Sequence, residues 1–410
     1  MTTKTLTKTL CCSLILSTLA AGCVESDATE DLATPELPAG APIAGTLAPE
    51  LHLLGTYTPS TASPEDAIPQ PEPTEAGPAR VETDPALVAL ADGRDGRFGV
   101  IYVDFDHHAE YTAAYDVAAM AAAAPALLQR GLNQASKAPA DPLPEVADGW
   151  SNNDDNRISF QNYSLTHSTL RKVGRVGGGC TGALFGNRLV LTAAHCIFDG
   201  NGMYQQFNTF QARRNGSELP YGTVTSQGAV YPIAFKNDGC NINYTGACVK
   251  NDWAILILPS NPWASSPNGA PGYFGFWWAS DSTVAGWSVR NIGYPSCSSG
   301  MAPAGCVSNV AYGDLSCAGS APRFSSADDR WPLYGDNGKM DTGCDTNGGH
   351  SGGPIYSYDP GANGPYLLAN TVWNQCYLGS CDATTQYSSS GARINETLAN
   401  YMLSLRASYP

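Results

Sequence analysis

An all-β fold is predicted for the second part of this chain by the period of its apolar residues, and its cysteines and charge set that part off as a domain of its own. Short runs of alternating apolar and polar residues recur between Gly, Asn and Pro turns, as at 222–233 and 282–292, which is the period of strands. Ten of the thirteen cysteines lie between Cys180 and Cys381, an even number that implies disulfides formed in an oxidising compartment. Charge divides the chain as well: residues 1–150 carry a net −14 and residues 151–410 a net −1, so an acidic segment precedes a near-neutral domain. The 43% apolar content of 410 residues is enough for a substantial core. No basic stripe is present, which argues against a nucleic-acid partner.

Met1 to Cys23 has lysines at positions 4 and 8, an apolar run from Leu10 to Leu19 and small residues before Cys23, the layout of a secretory signal. The run is too short to span a bilayer. Its end, L-A-A-G-C, looks like a bacterial lipobox in which Cys23 is lipidated, so the expected location is secreted or anchored in the cell envelope, with membrane contact only through that lipid. Residues 24–150 read as an acidic, Pro- and Ala-rich pro-segment or tether, with P-Q-P-E-P at 69–73 and too few apolar groups before about residue 96 to bury a core. Within it F-G-V-I-Y-V-D-F at 98–105 is strand-like, and the alanine-rich stretch 109–135 favours helix, interrupted by Pro125. A small structured element is expected at 98–135. His107 and His108 are adjacent and share no face, so they read as surface histidines.

The chemistry centres on C-D-T-N-G-G-H-S-G-G-P at Cys344–Pro354. Glycines around Ser351 leave the backbone amides bare, so those of Gly349 and Ser351 can converge on a developing oxyanion while Ser351 serves as nucleophile. A base and an orienting acid lie upstream. His195 ends the apolar run L-V-L-T-A-A-H-C, and Asp252 opens the apolar run N-D-W-A-I-L-I-L, so each sits at the mouth of a predicted strand. An acid there can hold an imidazole in one tautomer while the other ring nitrogen takes the serine proton.

T-A-A-H-C, N-D-W-A and G-G-H-S-G-G-P, in that order, resemble the three active-site motifs of chymotrypsin-like serine peptidases. S-N-N-D-D-N-R-I at 151–158, G-G-G-C-T-G-A-L-F-G-N-R at 177–188, G-Y-F-G-F-W-W at 272–278, N-I-G-Y-P at 291–295 and S-G-A-R-I-N at 390–395 are similar to the glutamyl endopeptidase branch. The resemblance covers about 151–405. It implies a peptidase domain at 151–410 made of two antiparallel six-stranded β-barrels, at about 158–262 and 270–393, closed by a helix at 394–406. It implies the triad His195, Asp252 and Ser351, a peptide or protein substrate, no cofactor, and a disulfide between Cys180 and Cys196. Ten cysteines allow many pairings; chain proximity suggests Cys240–Cys248, Cys297–Cys306 and Cys376–Cys381, leaving Cys317–Cys344. No C-x-x-C pair supports a metal cluster, and the loops at 198–202 and 334–338 read as turns.

Two departures matter. Zymogen-type members place an aspartate before the serine to pair with a freed N-terminal ammonium, and here that residue is His350. The pro-segment is therefore expected to act by covering the barrel seam or assisting folding. For specificity, Asp345 stands six residues before Ser351, where trypsin has its pocket carboxylate, which would select Arg or Lys. The pair Asp345–Thr346 also occurs in glutamyl endopeptidases, where the threonine helps bind a substrate carboxylate. Their pocket-wall histidine is missing, since that strand reads T-V-W-N at Thr371, Val372, Trp373 and Asn374. The balance favours basic side chains, and a protease-like binding module without activity is the rival reading.

Overall fold

The computed structural model describes residues 51–61, 96–134, 155–177, 179–206, 208–299, 301–315, 317, 338–360, 364–376 and 386–410. Cys23, Cys381, the 334–337 turn and most of the expected tether lie outside the described residues. Strands in chain order are β1 His52–Thr56, β2 Arg97–Asp104, β3 Ala109–Asp116, β4 Ile158–Ser159, β5 Val173–Val176, β6 Cys180–Leu184, β7 Leu189–Thr192, β8 Thr209–Ala212 and β9 Val224–Thr225. They continue with β10 Gly228–Pro232, β11 Ala254–Ile257, β12 Gly275–Phe276, β13 Arg290–Gly293, β14 Tyr312–Asp314, β15 Lys339–Thr342, β16 Pro354–Ser357, β17 Tyr366–Cys376 and β18 Gln386–Arg393. The α-helices are α1 Val117–Gln134, α2 Ile233–Asn237, α3 Asp281–Val284 and α4 Glu396–Ser408.

These strands form two antiparallel sheets, the all-β class expected. The first runs β1-β3-β2-β10-β11-β7-β6-β5-β8-β9 and the second β15-β18-β17-β16-β13-β14-β4, with β12 alongside β17 in parallel. Both sheets exceed six strands: the first has ten, three of which, β1, β2 and β3, extend it beyond β10. β4 was expected to open the first barrel, yet it pairs with β14 in the second sheet, where Phe160 N–H, one residue on, bonds to Ala311 O.

β7 and β11 place the site. They read as unbroken apolar runs because both of their faces are buried. Their register sets Thr192 opposite Ala254, so His195 just after β7 and Asp252 just before β11 emerge at the same end.

Three local expectations are corrected. The stretch 109–116 is the strand β3, not helix, since Tyr111, Ala113 and Tyr115 alternate onto a buried face against β2. The helix begins only at Val117, with the Asp116 carboxylate accepting from Ala119 N–H at 2.8 Å, and it runs through Pro125 without stopping. Ser282–Val284 is helical, because the Ser280 hydroxyl accepts from Thr283 N–H and turns the chain before β13 starts at Arg290. At the far end, α4 is capped by the Asn395 side chain on Leu398 N–H at 2.9 Å. Four disulfides are present among the described residues: Cys180–Cys196, Cys240–Cys248, Cys297–Cys306 and Cys317–Cys344.

Candidate active site

Asp252 is fully buried at the start of β11, and its two oxygens are aimed by neighbours from different segments. Oδ1 accepts from His195 N–H at 2.9 Å, and Oδ2 lies 2.6 Å from His195 Nδ1. The Tyr244 hydroxyl donates to the same Oδ2 at 2.6 Å, and Asn370 Nδ2 donates to the Asp252 carbonyl at 3.0 Å. Burial, then the Asp252 charge, pushes the Tyr244 phenol well above its ordinary value, so it remains a protonated donor. His195 keeps 13% of its side chain exposed, and its ring meets Tyr244 edge-on at 5.7 Å between centroids. The acid is thus dry and held, while the imidazole retains an open side.

The serine loop is pressed onto the first sheet. Thr181 N–H bonds to the Ser351 carbonyl at 2.8 Å, and Cys196 Sγ, in the cystine with Cys180, lies 3.8 Å from that same oxygen, so the residue after His195 packs against the backbone of Ser351. Thr181 Oγ1 donates to Gly349 O at 2.7 Å and accepts from Tyr294 N–H at 2.9 Å. Gly352 adopts φ +80°, and a Cβ there would stand 2.2 Å from Thr181 O and from Thr192 Oγ1. Only glycine lets the chain after the serine come that close. Ser351 itself is 4% exposed.

His350 is fully buried, and burial, reinforced by the Arg157 charge, holds its imidazole well below the ordinary range and therefore neutral. Its Nδ1 is 3.0 Å from Asn291 Oδ1, which makes Nδ1–H the donor. Asn291 Nδ2 donates onward to Thr371 Oγ1 at 2.6 Å and Pro354 O at 3.1 Å. Thr371, expected to line a specificity pocket, spends its hydroxyl on this internal link and is 2% exposed. Thr346 and Val372 are buried too, and the side chains of Trp373 and Asn374 lie outside the described set.

Asp345 is engaged by the start of the domain. Its Oδ2 accepts from Asn156 N–H at 2.9 Å, and burial, with Asp314 and Asp155 nearby, pushes its carboxyl up to about 7. Arg157 forks onto both Asp155 oxygens at 2.8 Å, donates to Asn347 Oδ1 at 2.7 Å and reaches Met301 O at 2.6 Å. Asn347 in turn donates to Ser296 O at 3.0 Å and Ser299 Oγ at 2.9 Å. Asn156 and Arg157 thereby pin the approach to Gly349. Of the three residues singled out from the sequence, His195 and Asp252 are in direct contact; Tyr244, Asn370, Asn291 and the Arg157–Asn347 link were missed, and for Tyr244 the available signal was a tyrosine bracketed by Cys240 and Cys248.

Ligand atoms of Cys180, His195 and Cys196 cluster within 4.8 Å of one another. Both sulfurs are spent in a cystine, so no thiolate is offered to a metal.

Residues 180–362 match a family model described as a trypsin-like peptidase domain. Over 208 residues the chain is 31% identical to a glutamyl endopeptidase of Bacillus licheniformis, an overlap of 50% of this chain and 54% of that protein. Over 117 residues it is 27% identical to a Bacillus subtilis protein named extracellular metalloprotease, an overlap of 28% of this chain and 33% of that one. The chain thus spans about half, or less, of the length of the curated relatives it matches. A solved structure of a Glu endopeptidase in complex with MPD aligns at 17% identity with a TM-score of 0.44, over 62% of this chain and 98% of that one.

Proposed function

From a trypsin-like peptidase domain matched over residues 180–362, we propose that this chain is a secreted serine endopeptidase that hydrolyses peptide bonds through an acyl-enzyme. The observation that carries the reading is the 2.6 Å approach of His195 Nδ1 to Asp252 Oδ2 beside a serine loop whose backbone abuts Cys196. Asp252 keeps the proton on Nδ1, leaving Nε2 to accept the Ser351 Oγ proton as that oxygen attacks the substrate carbonyl. Charge developing on the carbonyl oxygen is received by the N–H groups of Gly349 and Ser351. His195 then passes its proton to the leaving amine. Water repeats the sequence on the acyl group and frees Ser351.

In this reading residues 151–410 form the catalytic domain, and export follows from the leader ending at Cys23, whose lipidation would anchor the protein to the cell envelope. No helix among the described residues is long and apolar enough to cross a membrane. Asp345 is a poor counter-ion for a basic substrate, because its carboxyl is only partly ionised near pH 7 and already accepts from Asn156. Basic selectivity, if present, therefore has another source.

A fluorophosphonate probe tests the reading. Wild-type protein should be labelled and should cleave peptide substrates, whereas Ser351→Ala and His195→Ala should lose turnover by a factor on the order of a million. Absence of labelling in folded wild type, or near-wild-type turnover in Ser351→Ala, would overturn it.

A further inference from the structure

We infer that residues 97–134 are a permanent lobe of the folded catalytic unit and not a covering that must leave before the site can work. The docking surface is the edge of β10 together with Trp253 and Tyr401, and its occupant is this chain's own β2–β3 hairpin and α1.

Strand pairing comes first. β2 runs antiparallel to β10 over five positions, from Gly228 opposite Asp104 to Pro232 opposite Val100. Without β2, the backbone groups of β10 on that side would be an open sheet edge, a template for pairing with other chains. β2 is also buried on both faces, with Val100, Ile101, Tyr102 and Val103 each at most 4% exposed, the signature of an interior strand. β10 is shaped for this neighbour: a Cβ on Gly228 would meet Val103 O at 2.6 Å, so the close approach of the two strands needs glycine there.

The contacts beyond the sheet lie behind the proposed catalytic residues. Phe98 stacks on Trp253, the residue after Asp252, at 6.0 Å between centroids and 12° between planes. Tyr401 of α4 meets Phe98 at 5.3 Å and Tyr115 at 4.9 Å, and α1 packs against α4. Glu110 on β3 pairs with Lys236 of α2. Upstream, Tyr57 packs on Tyr204 at 4.5 Å and the Ser60 hydroxyl donates to Asp199 at 2.6 Å, in the loop that follows His195. These contacts fall on the first sheet, its 198–205 loop and α4, which is how a supporting lobe sits, and they leave His195 its open side. Removing the lobe would uncover Trp253 and Tyr401, now 4% and 0% exposed, beside Asp252.

The test cuts the chain without removing anything. A recognition sequence for a site-specific protease is inserted between residues 135 and 154 of the full chain, the protein is cleaved, and the pieces are followed by native gel filtration and peptide turnover. The pieces should co-elute until denaturant is added, with turnover no more than about threefold above that of the uncut chain. In cut protein Glu110→Lys should lower the denaturant concentration at which the pieces separate, and adding Lys236→Glu should raise it again by reversing the pair. Release of the wild-type piece in native buffer, or a larger rise in turnover on cutting, would overturn the inference. Retention is read without activity, so a failure of the peptidase reading leaves this test intact.

Discussion

The Tyr244 phenol and Oδ2 of Asp252 are 2.6 Å apart, and the same oxygen faces His195 Nδ1 at 2.6 Å. A hydrogen bond to a buried charge contributes about 1.5–3 kcal/mol, and here it also fixes the carboxylate against rotation. Tyr244→Phe keeps the ring against His195 and removes only the donor. We expect kcat to fall by about 10- to 100-fold with KM within about twofold, because the phenol is buried and spent on Asp252. Steady-state kinetics on one peptide decides it, and an unchanged kcat refutes the role.

The loop carrying Tyr244 is closed by Cys240–Cys248. A cystine of that span stabilises by about 3 kcal/mol through the unfolded chain, and locally it limits where the phenol can go. The double variant Cys240→Ala/Cys248→Ala should therefore lose both stability and kcat. Combined with Tyr244→Phe, its further effect on kcat should be small, since both changes remove the same contact. A double-mutant cycle with additive losses in kcat would show that the cystine acts elsewhere.

How far the sequence revealed this arrangement depended on whether the decisive contact was local. β7 and β11 could be read from apolar runs, and Ser351 from its glycines, because those signals lie within a few residues. β3 could not: Glu110 and the alanines at 109, 113 and 114 favour helix by composition, and pairing with β2 overrode that preference. The D-x-x-A step at Asp116 was a readable helix start, since its carboxylate caps Ala119 N–H. Arg157–Asn347 spans 190 positions and Tyr244–Asp252 reaches across the helical turn Gly246–Asn251, so no periodicity announces either. The pocket positions rested on the family resemblance, and the link from Asn291 to the Thr371 hydroxyl joins positions 80 apart that no local pattern connects.

Asp345 makes stability depend on pH. Its carboxyl in the folded protein is pushed from 3.8 to about 7, first by burial, so folding favours the protonated form. That contribution is complete below about pH 4, the unfolded value, and is lost as pH rises through about 7. Asp345→Asn keeps an acceptor for Asn156 N–H and cannot ionise. Relative to wild type it should gain up to about 4 kcal/mol between pH 4 and pH 8, less where solvent screens the group. Thermal melts at those two pH values measure the difference, and parallel curves for both proteins would exclude the titration. The same variant should change the ratio of kcat/KM for Arg over uncharged side chains by less than about tenfold; a larger loss restores Asp345 as the pocket carboxylate.

Arg157 spends its guanidinium on Asp155, Asn347 and Met301, and Asn347 lies two residues before Gly349, so a planar fork holds the loop we propose to receive the oxyanion. Lysine cannot make that fork. Arg157→Lys should destabilise by about 2–4 kcal/mol, leaving Asp155 and Asn347 short of partners, and should lower kcat more than it raises KM. The same geometry sets how much of the new N-terminus matters after a cut. A neutral, buried His350 offers no anion to an N-terminal ammonium, and among the described residues of this segment the hydrogen bonds are those of Asp155, Asn156 and Arg157. Catalytic pieces beginning at Gly149, Trp150, Ser151 or Asn152, with the N-terminal lobe retained, should therefore differ in turnover by less than about tenfold, whereas a piece beginning at Ile158 should lose most of it. A difference of about a thousandfold between neighbouring starts in the first set, roughly 4 kcal/mol in transition-state stabilisation, would mean that the terminus itself is a ligand of the site and that Arg157 is not what holds the loop.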